Sequence, residues 1–256
     1  DRSPWINRDL LSPKQPISYA ARDGLKINGY LTIPKNTDGK NLPMIVHPHG
    51  GPNARDTFGY DPYVQFLASR GYVVFQPNFR GSTGYGAKHY ILANKQFGKT
   101  MQDDITDGVK FLTNNGVADK DRIAIFGGSY GGYATMAGLA FTPDLYAAGI
   151  NYVGVVDLEL LQEGSNRNSR RFNGFYHELR LEWGDPDIPE DMEYIIETSP
   201  LRQAQNIKSP VLIMHGAQDN NVKLVHAKRL ADKLDRLGLA GVDQLLKAGR
   251  EDESGD

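Results

Sequence analysis

The sequence contains no cysteine among its 256 residues. This absence excludes disulfide bonds, thiolate metal ligands and a cysteine nucleophile. It favours the cytosol as the compartment of the protein, although the periplasm stays open as an alternative. The sequence also lacks an H-E-x-x-H pattern and any other paired histidine and carboxylate set. We therefore predict that the protein binds no metal.

The sequence also lacks an excess of charge of one sign, and it lacks long apolar runs. Basic residues number 29 and acidic residues 31, which gives a net charge of -2. A nucleic-acid-binding protein needs a basic surplus to neutralise phosphates, so we predict no nucleic-acid partner. The longest apolar runs, residues 44–46 and 72–75, are far too short to span a bilayer. We therefore predict no membrane partner.

Apolar residues make up 39% of the chain, which is enough for one sizeable core. The length fits one large domain or two small ones. Residues 1–16 carry three prolines and no periodicity, and they predict a lead-in segment before a single domain at residues 17–256. At its start, two β-like runs (residues 17–20 and 26–33) flank the turn signal Arg22-Asp23-Gly24, which predicts a hairpin.

Beyond the hairpin, strand-like runs alternate with helix-like runs. Predicted strands cover residues 44–47, 72–76, 122–126, 148–156 and 211–215, and predicted helices cover residues 62–69, 102–115, 133–141 and 222–237. This alternation predicts an α/β fold, in which a mostly parallel sheet carries helices on both faces. Residues 158–201 break the rhythm because they are polar, aromatic and rich in turns. We expect them to form an insertion over the carboxyl end of the sheet.

The strongest motif is Gly127-Gly128-Ser129-Tyr130-Gly131, a G-x-S-x-G pattern. A predicted strand enters it and a predicted helix leaves it, which is the context of a nucleophilic serine on a sharp turn. The glycines allow the strand and helix backbones to pass close together. The alternative, a phosphate-binding loop, is disfavoured because no lysine follows the glycines and the loop is not in the first βα unit.

The second motif is His49-Gly50-Gly51-Pro52, directly after a predicted strand. A nucleophilic serine needs backbone N–H donors for the developing oxyanion, and one such donor contributes about 3–4 kcal/mol. We predict that the N–H groups of Tyr130 and Gly51 are these donors. The alternative is a plain tight turn.

The third motif ends in Asp219, just past the predicted strand at residues 211–215. A carboxylate at the end of a later parallel strand can orient a catalytic imidazole. The alternative is an N-cap for the helix that is predicted to begin at Val222. The chain order of serine before aspartate favours the catalytic role.

These motifs together resemble the catalytic domain of the prolyl oligopeptidase family, nearest to its acylaminoacyl-peptidase-like branch. The resemblance covers roughly residues 17–238 and rests on HGGP at residues 49–52, NFRGSTGYG at residues 78–86, GGSYGG at residues 127–132, SP at residues 199–200, and residues 210–219 followed by Val222. It implies an α/β-hydrolase fold and hydrolysis of peptides or esters without a cofactor. It also implies Ser129 as nucleophile, Asp219 as triad acid, and Gly51 and Tyr130 as oxyanion donors.

The histidine that should complete a triad is not evident. Of the six histidines only His226 follows Asp219, and we expect it to be a partly exposed residue of a helix face. In this family His49 and His215 have structural roles. From Gly241 the family pattern fails: residues 242–246 could start a strand, but residues 248–256 are polar and acidic and contain no histidine. Loss of the base costs about 10⁴–10⁶ in rate, so we expect a poor or silent hydrolase.

The C-terminal strand and helix therefore look incomplete, as after a frameshift. An uncovered apolar sheet face invites association, so a homo-oligomer through that face is expected. Aromatic residues of the insertion predict an apolar substrate pocket, with packing of the insertion as the alternative role: Phe172, Phe175, Tyr176 and Trp183. The aspartates at positions 103, 104 and 107 are predicted to form a solvated helix start.

We predict a serine hydrolase that cleaves peptide bonds, in acylaminoacyl or oligopeptide substrates, or small ester bonds. Two alternatives stay open at this point. One is a catalytically silent binding protein with the α/β-hydrolase fold, which the absent histidine favours. The other is a carboxylesterase, because small activated esters reach an exposed serine most easily.

Overall fold

The computed structural model describes residues 5–163 and 180–239, together with the backbone of residues 242–243. The strands are β1 (Lys14–Ala20), β2 (Lys26–Thr32), β3 (Leu42–Val46), β4 (Val73–Asn78), β5 (Ala118–Gly128), β6 (Ala148–Tyr152), β7 (Val211–Met214) and β8 (Val242–Asp243). The helices are α1 (Pro62–Ala68), α2 (Ala87–Ile91), α3 (Thr100–Asn114), α4 (Tyr130–Phe141), α5 (Leu158–Glu163), α6 (Pro189–Glu197) and α7 (Val225–Arg236). Short 3-10 helices cover Arg8–Leu10 and Pro200–Asn206.

These strands form one sheet in the order β1-β2-β4-β3-β5-β6-β7-β8. Strand β2 is antiparallel to both of its neighbours, and all pairs from β4 to β8 are parallel. Helix α3 packs against β4 and β5, α4 against β5 and β6, and α7 against β7. The predicted α/β-hydrolase fold with a mostly parallel sheet is confirmed.

Most strand boundaries differ from the prediction by one or more residues, and two of the differences have a clear physical cause. Strand β1 begins at Lys14 and not at residue 17, because Lys14 pairs with Thr32 and Pro16 with Tyr30. Proline has no N–H to donate, but β1 is an edge strand, where that loss is tolerated. Strand β6 ends at Tyr152 and not at residue 156, because Val153 adopts a left-handed φ of 46° that breaks the extended backbone.

Helix α4 lies at the centre of the core and is not amphipathic. Every residue from Tyr130 to Ala140 is buried. A side chain at Gly132 would place its Cβ 2.5 Å from the Cα of Gly154, so the helix backbone passes directly over the chain that follows β6. Small residues in α4 therefore set the distance between the helix and the sheet.

A buried ion pair joins α3 to the loop after β4. Arg80 contacts Asp104 through Nε (2.8 Å) and Nη2 (2.6 Å), and the Asp104 side chain is fully buried. The predicted solvated helix start is therefore wrong for Asp104, because a buried carboxylate needs a cation and Arg80 supplies it. Asp103 and Asp107 lie nearer the surface, where both contact Arg22.

In residues 5–163 and 180–239, no helix combines the length and the apolar character that a bilayer-spanning segment needs. Across the described chain, no three histidine, aspartate or glutamate side chains come together as metal ligands.

We expect replacement of Arg80 by Met to destabilise the fold by about 3–5 kcal/mol, because Asp104 then stays buried without a cation. Urea unfolding followed by circular dichroism measures the loss. The matched control is Lys120→Met, which removes one partner of the exposed Lys120–Asp121 pair, whose side chains are 77% and 75% exposed. That control should change stability by less than about 0.5 kcal/mol. Equal effects of the two substitutions would contradict the assignment.

Candidate active site

Ser129 lies at the turn between β5 and α4, with φ 57° and ψ -118°. This left-handed backbone is strained for a residue with a Cβ, at a cost of about 1–3 kcal/mol. Two hydrogen bonds hold it: the Ser129 N–H donates to the Tyr152 carbonyl, and the Ser129 carbonyl accepts from the Tyr133 N–H, both at 3.0 Å. The strand, turn and helix have the arrangement expected for a nucleophilic serine. The nucleophilic role itself stays a prediction.

The turn is packed backbone to backbone against the loop that follows β3. A Cβ on Gly131 would lie 2.3 Å from the Pro48 carbonyl oxygen, and one on Gly50 would lie 3.1 Å from the Gly128 carbonyl oxygen. The two glycine-rich motifs are therefore neighbours because β3 and β5 are adjacent strands. No larger residue fits at Gly131 without moving one of the two loops.

Gly51, Ser129 and Tyr130 line one cavity of about 580 Å³. Tyr130 is the first residue of α4, so its N–H has no acceptor within the helix, and the positive end of the helix dipole lies there. Among residues 5–163 and 180–239, neither this N–H nor that of Gly51 has a hydrogen-bond acceptor. Both donors predicted for an oxyanion are thus on the wall of the cavity that holds Ser129.

His49 holds the loop of the HGGP motif in place. Its Nδ1 lies 2.8 Å from the Gly50 carbonyl oxygen, its Nε2 lies 2.9 Å from the Ser82 hydroxyl, and its ring stacks on Phe79 at 4.4 Å. Because a carbonyl oxygen can only accept, Nδ1 carries the proton of the ring. Burial lowers the pKa of His49 to about 4, so the ring is neutral at pH 7. This geometry is that of a structural histidine.

Asp219 follows β7 in a tight turn beside the same cavity. Its Oδ1 accepts from the N–H groups of Asn221 (2.8 Å) and Val222 (2.9 Å). Helix α7 begins only at Val225, so Asp219 caps this turn and not the helix. The next four residues, 220–223, line the cavity, whereas Asp219 is half-buried and is not among the lining residues. The role of triad acid stays a prediction.

His226 is buried and not partly exposed as predicted, with only 1% of its surface accessible. Helix α7 packs that face inward, where Nδ1 accepts a hydrogen bond from the Val156 N–H (3.3 Å). Since a neutral imidazole has one proton, that proton is on Nε2, which can then donate but not accept. Burial lowers the pKa of His226 to about 4. In this arrangement His226, although it lines the cavity, is not a general base for Ser129.

The other described histidines do not supply the base either. His47, His89 and His215 each place one ring nitrogen 2.7–3.3 Å from a backbone carbonyl, and none of the three lines the cavity. His177 lies outside the described residues. Residues 227–256 contain no histidine. The described chain therefore brings no basic histidine to the place where Ser129 and the predicted oxyanion donors, Gly51 and Tyr130, meet.

Of the predicted pocket residues, Trp183 lines the cavity, with its ring 5.5 Å from that of Phe97. Phe172, Phe175 and Tyr176 lie outside the described residues. Sequence reasoning missed several polar residues of this wall, among them Asn53 and Glu182. The sequence offered one signal for each of them: Asn53 directly follows the HGGP motif, and Glu182 directly precedes the predicted pocket residue Trp183.

The sequence model of the prolyl oligopeptidase family matches residues 58–251. The chain belongs to this family of peptidases. It is 40% identical to dipeptidyl aminopeptidase BIII of Pseudoxanthomonas mexicana over 234 residues, which are 89% of this chain and 34% of that protein. The chain thus spans about a third of the length of this relative.

Solved structures of peptidases have the same fold. A puromycin-hydrolyzing peptidase of Mycobacterium tuberculosis superposes with a TM-score of 0.85 at 28% identity, over 95% of this chain and 36% of that one. The acylaminoacyl peptidase of Pyrococcus horikoshii gives a TM-score of 0.84 at 28% identity, over 97% of this chain and 39% of that one. The resemblance seen in the motifs is therefore confirmed at the level of family and fold.

We expect Gly131→Ala to destabilise the protein by about 1–3 kcal/mol, because the new Cβ collides with the Pro48 carbonyl. In an ordinary helix the same substitution raises the free energy of unfolding by about 0.5–1 kcal/mol. The sign of the change in that free energy therefore shows whether the close contact exists. Urea unfolding measures it. Gly59→Ala is the control, since a Cβ at Gly59 meets nothing within 4 Å. A stabilising effect at Gly131 would contradict the close contact of the two loops.

Proposed function

We propose that the chain is the catalytic domain of a serine peptidase, with Ser129 as its nucleophile. The observation that carries the proposal is the strained backbone of Ser129 at the wall of a cavity that Gly51 and Tyr130 also line. Membership of a peptidase family supports it. The relatives named above are by their names a dipeptidyl aminopeptidase, a puromycin-hydrolyzing peptidase and an acylaminoacyl peptidase, and we extend peptide hydrolysis to this chain on that basis.

In the proposed reaction, Ser129 Oγ attacks the carbonyl carbon of the scissile bond. The N–H groups of Gly51 and Tyr130 stabilise the oxyanion, each with about 3–4 kcal/mol. The carbon–nitrogen bond then breaks as the leaving amine takes the proton that the Ser129 hydroxyl gave up, and water hydrolyses the acyl-enzyme to the free acid and restores the hydroxyl. Asp219 is proposed to orient the imidazole that moves these protons.

No described histidine supplies that imidazole, residues 240–256 contain no histidine, and His177 lies outside the described residues. We therefore expect the 256-residue polypeptide to hydrolyse peptides about 10⁴–10⁶ times more slowly than a complete triad would. A residual acceleration of about 10³–10⁴ over water can still arise from the oxyanion donors and from binding. Activated esters need less help from a base than peptides do. They are therefore the substrates on which this residual activity is easiest to measure.

We predict that imidazole added to the buffer restores part of the missing function. The expected result is Ser129-dependent hydrolysis of p-nitrophenyl acyl esters that rises and then saturates with imidazole concentration. The Ser129→Ala protein is the control, because imidazole itself cleaves these esters and that background must be subtracted. Equal rates for both proteins at every imidazole concentration would contradict the nucleophilic role of Ser129. If the protein cleaves the esters but not aminoacyl p-nitroanilides, the result indicates a carboxylesterase.

A catalytically silent binding protein is the second candidate function. The histidine-free stretch from residue 227 to residue 256 is the observation that favours it. It predicts that short peptides bind in the cavity with no turnover that depends on Ser129. Isothermal titration with peptides, beside the ester assay, separates this candidate from the peptidase.

A further inference from the structure

The cavity beside Ser129 contains a carboxylate that the proposed reaction does not use. Glu182 lines this cavity together with Gly51, Ser129 and Tyr130. The residue is 4% exposed, so the charge is almost removed from bulk water. Buried charges are costly unless they are paired, and each such group therefore calls for a partner.

Hydrogen bonds fix Glu182 from two sides but leave its charge uncompensated. Its Oε1 accepts from Asn53 Nδ2 (2.8 Å) and from the Tyr90 hydroxyl (2.9 Å), which are both neutral donors. Its backbone carbonyl accepts from the Lys95 N–H (2.8 Å). Among the described residues, no lysine, arginine or histidine nitrogen lies within 4 Å of the carboxylate, and Oε2 accepts no hydrogen bond.

Two cationic residues near Glu182, Arg180 and Lys95, are already paired with other carboxylates. Arg180, which also lines the cavity, contacts Asp185 at 2.9 Å and Asp187 at 3.0 Å. The ammonium of Lys95 contacts Asp191 at 2.6 Å. Neither cation forms an ion pair with Glu182, and because this residue lines the cavity, a ligand in the cavity can supply the missing positive charge.

Aromatic rings complete the surroundings of this carboxylate. Trp183 and Phe97 line the cavity with ring centroids 5.5 Å apart, and Tyr130 lies 4.9 Å from Phe97. Aromatic faces attract cations, and the effect grows when the cation is desolvated. A carboxylate beside such rings is the environment in which a protein binds an ammonium group.

We propose that Glu182 binds an ammonium group carried by the acyl part of the substrate. This inference rests on the proposed function and names the substrate class of the same site. A cavity of about 580 Å³ holds a ligand of small-molecule size, so the ammonium group and the scissile carbonyl belong to the same short stretch of peptide. The ammonium group is either the free N-terminus or the side chain of a lysine.

The test is the binding of three peptide amides to the full chain that carries Ser129→Ala, measured by isothermal titration. The probes are Ala-Phe-NH₂ with a free N-terminus, N-acetyl-Ala-Phe-NH₂ without any ammonium group, and N-acetyl-Ala-Lys-NH₂ with an ammonium group on its side chain only. We expect one of the two charged peptides to bind about tenfold more tightly than the uncharged one. The charged peptide that binds more tightly identifies the source of the ammonium group, which is either the free N-terminus or a lysine side chain.

The decisive variant is Glu182→Gln, which keeps the acceptor for Asn53 and Tyr90 and removes the charge. We expect it to abolish the preference for the charged peptide while the affinity for the uncharged one stays the same. Glu193→Gln, on the exposed side of α6, is the matched control and should leave the preference intact. A preference that survives Glu182→Gln, a uniform loss for all three peptides, or no preference at all would overturn the proposal. Because binding is read without Ser129, failure of hydrolysis does not affect the result.

Discussion

The site depends on the close approach of two backbones at the carboxyl edge of the sheet. The loop after β3 and the turn after β5 touch where Gly131 meets the Pro48 carbonyl. A second contact of this kind joins Gly132 to Gly154, which lies in the loop after β6. These three strands are adjacent in the sheet, so their ends bring three loops to one place. Only glycine allows contacts of this kind, and they hold Ser129 in its strained conformation beside the donors of Gly51 and Tyr130.

Features that depend on neighbouring residues could be predicted from the sequence, and features that depend on distant partners could not. The turn at Ser129 and the loop at Gly51 follow from glycine spacing between a strand and a helix, so both motifs lie where expected. The burial of Asp104 depends on Arg80, which is 24 residues away, and that of His226 on Val156, which is 70 residues away. Glu182 was missed for the same reason, since its partner Asn53 is 129 residues distant.

The electrostatic part and the proton-transfer part of the site are separable in this chain. The donors for an oxyanion come from the backbone, so any sequence that folds in this way keeps them. The base is a single side chain, and none of the described histidines has the position and the protonation state for that role. His49 and His226 are neutral through burial, and each has a ring nitrogen in a hydrogen bond with the backbone, His49 with Gly50 and His226 with Val156. Association through the sheet face beside β8, expected from the sequence, stays a prediction.

The central claim is that Ser129 is the reactive group of the cavity. The most direct measurement is the intact mass of the protein after incubation with a fluorophosphonate, followed by peptide mapping, with Ser129→Ala as the control. The account predicts a single adduct that forms slowly, maps to Ser129 and is absent from the variant. An adduct of equal extent in the variant, or no adduct on folded wild-type protein after prolonged incubation, would contradict it.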